Sequence, residues 1–277
     1  MDIRRNLDRR ADDRPYHTIG DYKAWRLGVA DQFPADLIWI CTTGGNAAYR
    51  HRILPLGEPS IAIKRRLRSD GSIADASLVI CGPHSKPCWH QSGLNEEIIA
   101  VRLKPEFAAQ TLNIEPAAFQ NQAQTLTAAP MRKKFTTTEA ALANASPQAL
   151  ARALLDDITR IAQGGDMREH GEHFTARRLR ATNGTTPIRD IAASLSISER
   201  QLRRRFRNAV GCSPKDYARR LRVANAAILA DAEANPLWAF IAAETGFHDQ
   251  AHMIADFKAL SGLTPRTLHR ERRGDGS

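Results

Sequence analysis

The sequence predicts an α+β protein in which a β-rich N-terminal half precedes an all-helical C-terminal part. Three observations support this fold class. Short runs rich in β-branched residues, separated by Gly, Pro and Asn, occupy much of the region 24–104. Helical periodicity with cap residues replaces them after about residue 146. A stretch of the helical part then recurs further along the chain, which predicts two copies of one small helical unit.

The β-rich region predicts a small antiparallel barrel or sandwich, cupin-like, with accompanying helices. We expect residues 1–20 to be a mobile charged lead-in and residues 1–125 to form the first domain. A helix is predicted over 105–112, behind a proline at its first position. The predicted strands cover 24–30, 36–41, 60–64, 77–81 and 97–103.

A helical connector is predicted over 126–169. Ser146-Pro147 is typical of a helix start, and the helix runs through about residue 162. One face of this helix is apolar, which favours packing on the barrel and leaves pairing with a second copy in a dimer as the alternative. Residues 163–170 are glycine-rich and charged, as expected of a linker. The apolar face comprises Leu150, Leu154, Leu155 and Ile158.

The helix after Ser198 has the most distinctive pattern in the chain. Ser198 and Gln201 form a capping-box pattern, and Gly211 is a natural stop. An apolar seam of Leu202, Phe206 and Val210 predicts a buried face. The opposite face carries four arginines, Arg200, Arg203, Arg204 and Arg207. Guanidinium groups in this arrangement suit phosphates and base edges, although a solvated basic face is the simpler alternative.

The preceding segment favours the first interpretation. Thr186-Pro187 is predicted to cap a short amphipathic helix over 188–195, and a tight turn then leads into the arginine helix. A short helix, a turn and a second helix with a polar outer face form the helix-turn-helix pattern, here over about 187–210.

The pattern then repeats over about 236–261. Asn235-Pro236 is predicted to cap a second short helix, and Asp249 a second long one. Both copies read Phe-x4-Gly-x-Ser/Thr-Pro, with Phe206 and Phe257 offset by 51 residues, 257 minus 206. A continuous helix over 214–232 is predicted to join the two units.

The positive charge is concentrated at this motif. The formal net charge is +10. Residues 196–222 hold nine basic and two acidic side chains, so the excess is not dispersed over the surface. This distribution favours an acidic partner such as nucleic acid.

Residues 170–272 resemble the C-terminal DNA-binding domain of AraC/XylS-type bacterial transcription regulators. The resemblance is carried by Gly246-Phe247-x-Asp249-Gln250-Ala251-His252 and Phe257-Lys258-x3-Gly262-x-Thr264-Pro265. Residues 170–277 are therefore expected to form an AraC-type domain. The upstream Gly82-Pro83-x-Ser85-x-Pro87 and Ala100-Val-Arg-Leu-Lys-Pro105 are similar to a sensor domain of some of these regulators.

The resemblance implies a sequence-specific regulator that reads two adjacent major grooves. In the first unit, Arg200, Arg203 and Arg204 are expected to contact bases. Arg205, Arg207 and Lys215 are assigned to phosphates.

The second unit departs from the family pattern. Ala251, Ile254, Ala255 and Lys258 stand where the first unit has its four arginines, and Asp256 adds a negative charge. Gln250 and His252 are the base-contacting candidates, with Lys258 on phosphate. Most sequence discrimination is therefore expected from the first unit.

Two other function classes stay open. Cys81, His84, Cys88 and His90 fall within ten residues, and Cys and His are zinc ligands, but their spacing matches no standard zinc site. A DNA-repair or modification protein with a reactive Cys81 or Cys88 is one alternative. A non-specific architectural DNA binder is the other.

The remaining expectations concern partners and location. No catalytic motif occurs, so neither enzymatic activity nor a cofactor or metal is expected. The resemblance implies double-stranded DNA, a small-molecule effector, RNA polymerase and a homodimer as partners. Trp25, Trp39 and Trp89 line a ligand pocket or fill the core. The charged N-terminus excludes a membrane span or signal peptide, and four cysteines suit the cytoplasm.

Overall fold

The architecture was obtained as a computed structural model. It describes residues 17–19, 21–30, 32–46, 49–55, 57–105, 107–108, 119–127, 129–164 and 171–273. Most of the predicted helix 105–112 and of the predicted linker lies outside these residues. The described strands are β1 (His17–Ile19), β2 (Tyr22–Gly28), β3 (Ala35–Thr42), β4 (Arg50–Ile53), β5 (Ser60–Leu67), β6 (Ile73–Cys81), β7 (Cys88–Gln91), β8 (Glu96–Leu103) and β9 (Ala123–Thr125).

The strands form two antiparallel sheets. Seven of the described strands pair in the order β1-β2-β3-β8-β5-β6-β9, and β4 pairs with β7 separately. The five predicted strands are confirmed as β2, β3, β5, β6 and β8. The short strands β1, β4, β7 and β9 were not predicted, and β1 places residues 17–19 in the sheet instead of the predicted lead-in.

Alternation of side chains gives the large sheet one buried face. Isoleucines of three adjacent strands meet there in register, since Ile40 and Ile63 both pair with Ile99. All three side chains are fully buried. β-branched side chains at every second position favour the extended backbone and fill this layer, which explains why the strand predictions succeed.

Helices follow the sheet in chain order. They are α1 (Ala129–Arg132), α2 (Thr136–Ala141), α3 (Pro147–Gln163), α4 (Gly171–Ala181), α5 (Ile188–Ser194), α6 (Glu199–Val210), α7 (Pro214–Asp231), α8 (Trp238–Glu244), α9 (Gln250–Ser261) and α10 (Pro265–Arg273). No helix among the described residues is long and apolar enough to cross a membrane.

The apolar face of α3 packs on the sheet. Leu150, Leu154, Leu155 and Ile158 are buried in the same core as the sheet isoleucines. The favoured alternative, packing within the chain, is therefore confirmed, and this face is not available to a second copy. Ser146 caps the helix as predicted, since its side chain accepts a hydrogen bond from the Ala149 N–H.

The helical domain has two cores that share α7. The first contains Phe206 of α6 together with Tyr217 of α7, whose rings lie 5.8 Å apart. The second contains Phe257 of α9 with Val223 and Ala226 of α7. The start of α7 therefore belongs to one core and its later turns to the other. The predicted joining helix is confirmed.

Two of the predicted caps are wrong. The N-cap positions of α5 and α8 are Pro187 and Leu237, and neither provides a side-chain cap hydrogen bond. The Thr186 hydroxyl bonds to Thr182 instead. The first of these helices begins at Ile188 as predicted, and the second begins at Trp238, one residue later than predicted.

Glu58 joins the sheet domain to α7. The Tyr217 hydroxyl donates a hydrogen bond of 2.7 Å to Glu58 Oε1, and Arg102 of β8 lies 3.0 Å from the other carboxylate oxygen. Arg102 also binds Asp36 of β3 through two hydrogen bonds of 2.8 Å. The pKa of Glu58 is raised to about 7, chiefly because the carboxyl group is buried; Asp36 adds to the rise, and Arg102 and the Tyr217 hydroxyl oppose it.

A second contact joins the domains at the other end of α7. Arg52 of β4 binds Glu271 of α10 through a pair of hydrogen bonds, of 3.1 and 3.2 Å, and donates to the Ser261 carbonyl at 2.8 Å. Leu54 packs against the second core. The sheet domain thus contacts α7, the last residue of α9 and α10.

Glu58 predicts a pH dependence of stability. Its folded pKa, about 7, exceeds its ordinary value of 4.5, so the folded protein holds a proton that the unfolded chain has already lost. This contribution to stability is complete below pH 4.5 and is lost as the pH rises through 7. Urea unfolding of the full chain at a series of pH values should show the free energy of unfolding falling over this range.

Glu58→Gln keeps an acceptor for Tyr217 but cannot titrate, so its unfolding free energy should decline less over the same range. Glu271→Gln, which removes the interdomain partner of Arg52, is the control for loss of an ion pair. Parallel profiles for wild type and Glu58→Gln would contradict the prediction.

Candidate nucleic-acid interface

The first recognition helix, α6, is capped at both ends as predicted. Ser198 Oγ accepts from the Gln201 N–H at 3.2 Å, and the Gln201 side chain accepts from the Ser198 N–H at 3.1 Å. Gly211 ends the helix with a φ of 85°, the left-handed conformation that glycine adopts without strain. The capping box and the stop are therefore confirmed, and they define a helix of 12 residues.

The two faces of α6 separate as the sequence predicts. Leu202, Phe206 and Val210 are buried in the first core. The residues assigned to DNA on this helix are exposed, and together they present a cationic face to solvent: Arg200, Arg203, Arg204, Arg205 and Arg207. Lys215, at the start of α7, is also exposed.

Arg203 already has an anionic partner. It forms an ion pair with Glu199, one turn earlier on the same helix, and both side chains are largely exposed. Ion pairs of this kind contribute little in water, typically below about 1 kcal/mol. A phosphate or a guanine edge can therefore replace Glu199 at small cost.

The second recognition helix, α9, repeats the local design. Asp249 accepts from the His252 N–H at 2.7 Å, and Gly262 ends the helix with a φ of 76°. Met253, Phe257 and Leu260 are buried. Gln250, Ala251, His252, Ala255 and Lys258 are exposed.

Asp256 does not lie on the exposed face of α9. It is only 6% exposed and lies 3.8 Å from Arg219 of α7. The expectation that Asp256 adds a negative charge to the reading face is therefore wrong. Sequence reasoning missed both Asp256 and Arg219 as packing partners, because only the fold brings α7 and α9 together.

The docked sheet domain leaves α6 accessible. Its hydrogen bonds to the first unit involve Tyr217 and, from Gln120, the Gly211 carbonyl at 3.4 Å. In the described part of the chain, no hydrogen bond or ion pair ties an α6 arginine to that domain. The cationic face and the interdomain contact thus occupy different sides of the first unit.

The Cys81–His90 segment gives no support for a metal site. Among the described residues no group of three His, Cys, Asp or Glu side chains could hold a metal ion, although the Cys88 side chain lies outside them. Cys81 is the last residue of β6 and His90 lies in β7, which belong to different sheets. Burial lowers the pKa of His84 and His90.

The three tryptophans do not share a pocket. Trp25 pairs with Ile40 and Arg26 with Trp39, so Trp25 and Trp39 point to opposite faces of the sheet. Trp89 belongs to the small sheet, where the guanidinium groups of Arg50 and Arg52 lie 4.3 and 4.2 Å from its ring. The interpretation as a common ligand pocket is therefore wrong.

Comparison with protein families assigns the helical domain. Residues 191–271 match a family described as a helix-turn-helix domain. The residues that carry the AraC/XylS resemblance, from Gly246 to Pro265, lie within this match. Residues 35–125 match a family described as a domain of unknown function (DUF6597). Among curated proteins, none matches the chain significantly.

Solved structures of similar proteins include three from bacterial sources. ToxT from Vibrio cholerae O395 is 10% identical, with 92% of this chain and 100% of that chain covered and a TM-score of 0.45. The C-terminal domain of AraT, a response regulator from Geobacillus stearothermophilus, is 20% identical, covering 39% and 89%, with a TM-score of 0.35. An AraC-type regulator from Chromobacterium violaceum is 24% identical, covering 38% and 95%, with a TM-score of 0.34.

The helix-turn-helix domain sets the general function. The chain is a DNA-binding transcription regulator, and the helices that carry its helix-turn-helix pattern are those whose polar faces are exposed.

The capping box predicts a stability effect that is separate from DNA contact. Ser198→Ala removes the acceptor for the Gln201 N–H and should lower the free energy of unfolding by about 1 kcal/mol. Urea unfolding followed by circular dichroism measures this loss. Ser194→Ala is the matched control, because that hydroxyl only bonds back to the Ile191 carbonyl of its own helix. The free energy of unfolding of Ser194→Ala should stay within about 0.5 kcal/mol of the wild-type value. Equal losses in the two variants would show that the box contributes nothing.

Proposed function

We propose that this chain is a sequence-specific transcription regulator whose two helix-turn-helix units read adjacent major grooves on one side of a duplex. The supporting observation is the repeated geometry of α6 and α9. Each is a capped helix of 12 residues with a buried seam and an exposed polar face, and each packs on the same α7. Helices of this kind fit the major groove, about one helical turn apart.

The first unit is proposed to supply most of the sequence discrimination. Arg200, Arg203 and Arg204 are assigned to base edges, because a guanidinium can pair with guanine O6 and N7 at once. Arg205, Arg207 and Lys215 are assigned to phosphates. Their exposure in the presence of the sheet domain supports this assignment.

The second unit is proposed to contribute through fewer polar groups. Gln250 and His252 are assigned to bases and Lys258 to phosphate, and all three are exposed. Ala251 and Ala255 offer only methyl groups, which suit contacts to thymine. The burial of Asp256 supports DNA binding by this unit, because the residue is only 6% exposed and its carboxylate lies against Arg219 and His252.

We further propose that the sheet domain senses a small molecule and transmits its state through α7. The contact between Glu58 and Tyr217 supports such a path, because Tyr217 also packs against Phe206 of the recognition helix. The described helices of the predicted connector, residues 129–163, are assigned to this domain, since α3 shares its core. Homodimer formation and contact with RNA polymerase remain proposals based on the family resemblance.

Selection of bound duplexes from a random pool, at a stated salt concentration, tests the proposal. We expect a recovered site with two half-sites about 10 base pairs apart. Affinity for it should exceed affinity for unrelated duplexes by at least about 10³-fold. Equal affinity for unrelated duplexes would instead indicate an architectural binder without sequence preference.

Single substitutions then rank the two units. Arg203→Ala should cost about 1–3 kcal/mol of discrimination between the selected and the scrambled site. Gln250→Ala should cost less. Lys133→Ala, which removes one exposed charge from the sheet domain, is the control for net charge. A larger loss of specificity from Gln250→Ala would reverse the ranking.

A further inference from the structure

Arg222 of α7 contacts the turn that leads into the first helix-turn-helix unit and the turn inside the second. Its Nη1 donates a hydrogen bond of 2.8 Å to the carbonyl of Gly184, in the turn that precedes α5. Its guanidinium carbon lies 5.6 Å from the centre of the Phe247 ring, in the turn that precedes α9. One side chain therefore links the entry of the first unit to the turn of the second.

The two turns also touch each other directly. Gly246 has a φ of 74°, and a Cβ placed on it would lie 2.6 Å from Thr185 Cγ2, closer than real atoms approach. Gly184 has a φ of 76°, and a Cβ there would lie 2.2 Å from the Ala218 carbonyl oxygen. The two turns thus meet at Gly246, while Gly184 allows the first turn to lie close to α7.

Asp256 completes the contact from the side of α9. This buried carboxylate faces Arg219, and its charge also acts on Arg222. The second recognition helix is therefore anchored to α7 by an ionic cluster in addition to its apolar core. We define the inter-unit brace as Thr185, Arg219, Arg222, Gly246 and Asp256.

We propose that Arg222 is a positioning residue that fixes the distance and angle between the two recognition helices, and so determines which half-site spacing the protein accepts. The inference rests on the proposed reading of two grooves. α7 alone leaves room for bending and for rotation of one unit about its packed face. A direct contact between the two turns, in addition to the packing of each unit on α7, prevents this bending and rotation.

DNA geometry makes the consequence measurable. One inserted base pair moves a half-site by about 3.4 Å along the axis and turns it by about 35° around the axis. A rigid pair of units cannot follow both changes and must give up contacts at one half-site. A loosened pair can follow them and loses less affinity.

The experiment measures binding of the full chain to the selected site and to versions with one base pair inserted or removed between the half-sites. Wild type should lose about tenfold or more in affinity at either altered spacing. Arg222→Met keeps an apolar side chain of similar length but removes the donor and the charge. This variant should bind the three spacings within about threefold of one another.

Arg220→Met is the matched control. Arg220 is a second arginine of α7; it is buried, and it packs on Gly57 of the sheet domain. It should keep the wild-type preference for one spacing. If Arg222→Met does not fold, Gly246→Ala decides instead, since its added Cβ pushes on Thr185 and should shift or broaden the accepted spacing.

The possible outcomes separate the brace from the function. Uniformly weaker binding with an unchanged preference for one spacing would overturn the role of Arg222 and leave the two-groove reading intact. Failure to recover a site with two half-sites would overturn the proposed function itself.

Discussion

The structure depends on the burial of α7 by three different neighbours. Tyr217 and Ala218 lie in the first core, while Val223, Ala226 and Ala227 lie in the second. Arg220 and the Tyr217 hydroxyl meet the sheet domain. Packed interiors tolerate little change of shape, so a shift of this helix must be accommodated in both cores and at the domain contact. Any signal between the domains therefore has a direct mechanical route.

This arrangement reconciles a docked sheet domain with an exposed DNA-binding face. The sheet domain contacts α7, α10 and the end of α6, whereas the arginines of α6 point to solvent. Control by simple covering of those arginines does not fit this geometry. Control through the relative placement of the two units does fit, because Tyr217 and Arg222 lie on the same helix.

Features set by neighbouring residues could be predicted from the sequence. The Ser198 capping box, the glycine stops at 211 and 262 and the joining helix each depend on residues within one or two turns. The repeat gave these predictions further support, because the same cap, aromatic and glycine signals occur twice in the sequence. The strand alternation around Ile38 and Ile40 predicted the sheet for the same local reason. The exposed arginine face followed from helical periodicity alone.

Features set by distant residues could not be predicted. Glu58 and Tyr217 are 159 positions apart, and nothing near Glu58 in the sequence indicates a buried carboxylate. The local sequence of α9 predicts that Asp256 is exposed. Its burial against Arg219 and Arg222 of α7 depends on the fold. The strands β4 and β7 lack clear alternation, and they are recognisable only as partners of each other.

The two units differ in the number of charged side chains that they expose, and this difference makes the inter-unit brace important for the second unit. The first presents five exposed arginines on α6, while the exposed positions of α9 include two alanines. A unit with few polar contacts gains little by binding alone, and a flexible tether would add the cost of ordering it on the DNA. If both units bind as we propose, a second unit held in place by α7 and Arg222 avoids that cost, so even modest contacts add to affinity. Rigid placement thus compensates for the weaker chemistry of α9.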